Sequence, residues 1–135
     1  MNEKFMLEAL KQAKKAYNRG EVPVGAVIIK NNKIIAKSYN KIEKKQDSTS
    51  HAEINVIKLA SKKLKNWRLI ECDLYVTLEP CDMCKGAIKN SRIENVYFLV
   101  SKKEENIQKT IYKTTENYQT EYLDLLQGFF KEKRG

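Results

Sequence analysis

Ser50-His51-Ala52-Glu53 and Glu79-Pro80-Cys81-Asp82-Met83-Cys84 are the two stretches around which the chain is organised. Between them they offer an imidazole, two thiols and a carboxylate placed two residues after the imidazole. Cys-x-x-Cys at the start of a helix lets two thiolates reach one ion, and His51 supplies a third ligand once the chain folds back. Three nitrogen or sulfur ligands are what a catalytic zinc uses, its fourth position being left to water. The expectation is therefore one Zn2+ per chain on His51, Cys81 and Cys84. Glu53 is then the catalytic residue, a general base beside that water.

A lone Cys-x-x-Cys is shared by redox motifs and structural zinc sites. The pairing of H-x-E with P-C-x-x-C is narrower and is the general signature of nucleobase-deaminating zinc sites, in which the glutamate is not a ligand. Two other readings stay open. Ser50-x-x-Glu53 ahead of an apolar helical run also fits a capping box, in which Glu53 reaches back to the helix start. Cys72 offers a fourth ligand for a purely structural zinc, although it opens a strand and lacks knuckle-like spacing to either half.

Outward from these stretches, 135 residues fall in the size range of one domain, 1–135. Apolar runs such as 24–29 are strand-length and far below the roughly 20 residues of a membrane span. Residues 1–19 form a charged amphipathic run, unlike a signal peptide. A cytoplasmic protein with no membrane partner is the expectation, and three cysteines, two of them in the motif, fit metal binding better than a disulfide framework. The formal net charge of +9, from 26 Lys and Arg against 17 Asp and Glu, suits a polyanionic partner or a strongly acidic membrane surface, and charge alone does not choose between them. The basic residues come in small groups: Lys41-Lys44-Lys45, Lys62-Lys63-Lys65, Lys102-Lys103 and Lys131-Lys133-Arg134.

Helical spacing of Met6, Ala9, Leu10, Ala13, Ala16 and Tyr17 predicts a helix over 3–19 ended by Gly20. A buried strand over 22–29, a tight Asn31-Asn32 turn and a partner strand over 34–39 make a hairpin. Gly25 within the first strand suggests close approach by another backbone or a ligand, with a bulge as the alternative. Residues 40–49 read as a loop at the mouth of the site, and Asn40 offers a substrate both donor and acceptor, or simply forms a turn. A helix over 51–64, a strand over 74–78, a helix over 81–90, a strand over 96–100, a charged segment over 101–117 and a helix over 121–133 complete the chain. Both ligand groups then lie at helix amino termini, where partial positive charge favours thiolates. The alternation implies an α/β fold with helices on both faces of a mixed sheet.

The chain resembles the bacterial tRNA-specific adenosine deaminases of the cytidine-deaminase-like superfamily. Beyond the metal motif, Glu21-Val22-Pro23-Val24-Gly25-Ala26-Val27, Asn31-Asn32, Asn40, Asp47, Tyr75-Val76-Thr77-Leu78-Glu79-Pro80-Cys81, Gly86-Ala87 and Ser91-Arg92-Ile93 stand in that family's order and spacing. The resemblance implies a three-layer α-β-α sandwich with a mixed five-stranded sheet. It also implies a homodimer acting on a tRNA anticodon stem-loop, where the wobble adenosine becomes inosine. Its site roles fall on His51, Cys81 and Cys84 for zinc, on Glu53 for the proton shuttle, and on Asn40, Ala52, Val22, Pro80 and Leu78 for the substrate. Lys102, Phe130 and Lys131 become candidate RNA contacts.

After Val100 the chain departs from that pattern. Ser101 and Lys102 stand where the family carries an arginine-aspartate pair, and a lysine cannot accept a hydrogen bond from a ribose hydroxyl. Two alternatives follow: a deaminase of a free base, nucleoside or nucleotide of cytosine, guanine or cytidine type on the same scaffold, and a non-catalytic zinc-stabilised RNA-binding protein. Glu53 speaks against the second.

Overall fold

The computed structural model describes residues 2–101, 112–114 and 117–134. Helix α1, Glu3–Asn18, is capped by Asn2, whose side chain accepts from the Lys4 N–H. It ends on Gly20 at φ 76°: the Gly20 N–H reaches Tyr17 O at 3.1 Å and the Glu21 N–H reaches Ala16 O at 3.0 Å. That pair of bonds is the Schellman arrangement a glycine permits. Strands β1, Gly25–Lys30, and β2, Lys33–Tyr39, form the expected hairpin, with Asn31 and Asn32 both at positive φ as the tight turn requires. β1 starts later than the strand expected over 22–29 because Pro23 has no N–H to give, and the Val24 N–H turns back to Val22 O instead.

The expected loop over 40–49 contains a helical turn, α2, Ile42–Lys45. Its stabiliser lies elsewhere in the chain: the buried Glu21 carboxylate accepts from the N–H groups of Glu43 and Lys44 at 3.0 and 2.9 Å. There follow α3, Ala52–Leu64; β3, Cys72–Leu78, which begins two residues before the expected strand because Cys72 pairs with Lys30; α4, Asp82–Asn90; and β4, Asn95–Val100. α5, Gln119–Arg134, closes the chain. Among the described residues no helix is long and apolar enough to cross a membrane.

β2, β1, β3 and β4 lie side by side in that order. β1 runs antiparallel to both neighbours and β4 parallel to β3, joined by α4 in a crossover. The body of the mixed sheet is four full strands, and the fifth of the five expected is only the three-residue segment β5, Tyr112–Thr114, parallel to β4. Residues alternate between two cores. Ala26, Ile28, Leu74, Val76, Val96 and Phe98 face α3 and α4, while Val27, Ile29, Tyr75, Tyr97 and Leu99 face α1 and Tyr122 of α5. Burial on both faces gives the layered arrangement expected, helices against each face of the sheet. The close approach expected at Gly25 is the backbone of α1: an added Cβ would lie 2.1 Å from Ala9 O and 2.4 Å from Ala13 N. The carboxyl end of β3, the central strand, and the first turns of α3 and α4 meet at one end of the sheet. That is the crevice where open α/β sheets bind ligands.

Candidate metal centre

His51 is the N-cap of α3 and Cys81 the N-cap of α4, with Cys84 in the first turn of α4. The Nδ1 of His51 lies 3.7 Å from Cys81 Sγ and 3.6 Å from Cys84 Sγ. Among the described residues these three form a group whose ligand atoms all lie within 4.8 Å of one another. Tetrahedral zinc with its usual bond lengths to sulfur and nitrogen would separate such atoms by roughly 3.6 Å. The donor set therefore fits zinc in type and spacing and leaves a fourth position. Cys72 is outside the group: it is buried at the start of β3 with its thiol towards the Ile70 carbonyl at 3.7 Å.

The capping box does not form. His51, not Ser50, caps α3, and Ser50 Oγ donates instead to Asn55 Oδ1 at 3.0 Å. Glu53 is buried in the first turn of α3. Burial first, then the adjacent Glu53 carboxylate and Cys81, push the Cys84 thiol well above its ordinary pKa. The helix start alone thus does not make Cys84 a thiolate, and a cation would supply the charge that burial withholds.

The wall of the site is tied together by polar side chains. Asn40 is buried, and its Oδ1 accepts from the Ala52 N–H at 2.7 Å, so its acceptor holds the first turn of α3 and its amide N–H groups are what it has left to offer. Asn55 donates to Tyr39 O at 2.9 Å and Ser50 O at 3.2 Å, and the Lys41 N–H reaches Ser50 O at 2.9 Å. Sequence reading missed Asn55; its signal was a helix-poor amide inside an otherwise apolar helical stripe. It also missed Glu79, whose carboxylate takes Lys85 Nζ at 3.2 Å and the Ser101 hydroxyl at 2.8 Å, fastening the turn before Cys81 to the end of β4.

Of the other expected contacts, Leu78 ends β3 and Pro80 is buried between it and Cys81. Val22 and Phe130 meet across a cavity of about 300 Å³ lined also by Ile42 and Phe129. Lys131 is exposed on α5, and Lys102 lies outside the described residues.

The sequence profile of the MafB19-like deaminase family matches residues 1–134. A tRNA-specific adenosine deaminase of Bacillus subtilis (strain 168) is 54% identical over 97 residues, 72% of this chain; the match spans only 60% of that relative's own length. A protein of the same name from Buchnera aphidicola subsp. Schizaphis graminum is 40% identical over 96% of this chain and 94% of its own length. Among solved structures, one from work on A-to-I editing by tRNA:A34 deaminases superposes with a TM-score of 0.76 at 35% identity, covering 84% of this chain and 98% of that one. A guanine deaminase from Bacillus subtilis superposes at 0.71 with 30% identity over 95% of both chains.

Proposed function

The chain belongs to the MafB19-like deaminase family and is similar over most of its length to a tRNA-specific adenosine deaminase, and on that premise we propose that it hydrolyses adenosine to inosine at the wobble position of a tRNA anticodon. The observation that carries this reading is a buried Glu53 two residues from His51, in a chain whose His51, Cys81 and Cys84 converge at one point. A zinc ion held by those three would activate water and stabilise negative charge near neutral pH. The remaining work falls to the chain's own groups. Glu53 takes a proton from the attacking water, places it on the purine nitrogen beside the reacting carbon, and returns a proton to the departing amine, so that water and adenosine become inosine and ammonia. Burial keeps Glu53 among few competing waters. Asn40 keeps the first turn of α3 in register through Ala52 and presents its amide donors to the substrate. Val22, Leu78 and Pro80 supply apolar walls, and Phe130 and Lys131 on α5 contribute RNA contacts. The same resemblance supports a homodimer, a cytoplasmic location and one deaminase domain over 1–135.

A second reading has its own support: the likeness to guanine deaminase extends over 95% of both chains, and Ser101 and Lys102 replace the family's arginine-aspartate pair. The test is ammonia release from a synthetic anticodon stem-loop, from adenosine and from guanine. The stem-loop is expected to exceed adenosine in kcat/KM by about 10² or more, because phosphate contacts position the base before reaction. Efficient turnover of guanine with none of the stem-loop would install the second reading.

A further inference from the structure

Four cations converge beside the site. Lys41 Nζ lies 4.9 Å from the centre of the Tyr39 ring and Arg19 Cζ lies 5.6 Å from it. Lys44 and Lys45 project from α2 a few residues on. That they share one space is registered at Lys41, whose pKa is pushed down by burial first and then by Lys45, Lys44 and Arg19. Asp47 answers only part of this charge: its carboxylate accepts from Thr49 first, and Lys58 and Lys45 are its further cationic neighbours. Glu21, the buried carboxylate beneath α2, spends its oxygens on the N–H groups of Glu43 and Lys44, and Glu43 lines the cavity with Val22 and Phe129. Among the described residues, no ion pair involves Arg19, Lys41, Lys44 or Lys45.

The position matters as much as the charge. Lys41 follows Asn40, whose side chain holds the Ala52 N–H, and the Lys41 N–H itself donates to Ser50 O, one residue before His51. The cluster is thus fastened to the metal-binding turn. Lys62, Lys63 and Lys65, by contrast, lie at the opposite end of α3, about 20 Å along the helix axis. Tyr39 keeps the Arg19 and Lys41 heads together by cation–π attraction, so the repulsion is borne before a ligand arrives. An anion entering there relieves it.

We propose that Arg19, Lys41, Lys44 and Lys45 form a phosphate site that grips the backbone beside the target nucleotide. The ligand chemistry is a phosphate ester, either a phosphodiester of an RNA loop or the monoester of a free nucleotide. The proposal rests on the deaminase reading for its substrate, but its test reads binding independently of turnover. The K41Q/K44Q/K45Q protein is compared with K41R/K44R/K45R and with K62Q/K63Q/K65Q as a far-end control. Affinity for a fluorescently labelled anticodon stem-loop is measured by anisotropy across a salt series. Each lost contact lowers the slope of log affinity against log salt by about 0.7, so the glutamine protein should lose about 2 from the slope and about tenfold or more in affinity. The arginine protein should recover both, the far-end control should keep both, and kcat at saturating stem-loop should stay within about twofold of wild type, since positioning and not proton transfer is lost.

Turnover of AMP against adenosine distinguishes the sources. A loss confined to the stem-loop identifies the phosphodiester, and a loss confined to AMP identifies the monoester. Unchanged affinity and slope for the stem-loop, with unchanged AMP preference, would overturn the site even if deamination proceeds. Cluster-dependent binding by a protein that releases no ammonia would overturn the activity and leave the site standing.

Discussion

The metal-holding end of the site and its mouth are assembled by different means. His51 and Cys81 owe their positions to being N-caps, and Cys84 follows Cys81 within one helical turn, so each half of the cluster is set by backbone geometry over a few residues. At the mouth, Asn40 reaches Ala52, Glu21 reaches across 22 and 23 positions to the amides of α2, and the Tyr122 hydroxyl donates to Pro23 O across 99 positions. Chemistry built from short local units keeps its form wherever a strand delivers two helix starts to one end of the sheet. A mouth built from distant partners changes whenever any of them changes. The contrast implies that substitutions at the two ends should separate turnover and metal retention from substrate affinity and stability.

The sharpest break would come from the cysteines. Cys84→Ser should lose zinc and with it essentially all deamination, because two ligands remain where three are needed. Cys72→Ser, outside the cluster, should retain one zinc per chain and the same kcat. Metal content of the purified proteins decides the matter: if Cys72→Ser loses zinc as readily as Cys84→Ser, the site is structural and the division between the two ends is misplaced.

Glu53→Gln keeps size and polarity but cannot carry the proton. We expect kcat to fall by about 10² to 10⁴ with zinc content and stem-loop affinity unchanged. Loss of zinc in this variant would make Glu53 a ligand, and undiminished turnover would remove it from the mechanism.

The same division governs what the sequence could reveal. Gly20, the Asn31-Asn32 turn, the helix starts at His51 and Cys81, and the alternation of β1, β3 and β4 are local signals, and the structure contains each of them. The helical turn α2 was invisible because the carboxylate that holds its amides is Glu21, and nothing within 40–49 announces a partner so far upstream. Ser50-x-x-Glu53 carried the letters of a capping box, but the structure places Glu53 in the buried first turn and gives Ser50 to Asn55. The convergence of Arg19 with Lys41, Lys44 and Lys45 follows from α1 ending where the hairpin's second strand does. Spacing along the chain does not encode that meeting.

The smallest effect is expected at Tyr122, and it tests whether the mouth is held from α5. Tyr122 is fully buried, and its hydroxyl donates to the carbonyl of buried Pro23 at 2.7 Å, just before β1 begins. Tyr122→Phe leaves that carbonyl without its donor, a loss of about 1–3 kcal/mol. For a chain of this size that lowers Tm by roughly 3–4 °C per kcal/mol. The pH dependence has a definite sign. Burial pushes the phenol's pKa above its ordinary 10.0, with Thr77 offsetting part of the rise. The stability that comes from keeping the phenol neutral is therefore complete below about pH 10 and is lost as pH climbs from there towards the raised value, where the unfolded chain has already shed its proton. Tyr122→Phe should be less stable at pH 7 and should lack this part of the alkaline decline. Because Pro23 adjoins Val22 and, through Val24 O, the Asn40 N–H at 3.1 Å, loosening it should raise KM for the stem-loop while zinc content and kcat hold. A variant that lost zinc along with stability would mean that the two ends are one cooperative structure and not two.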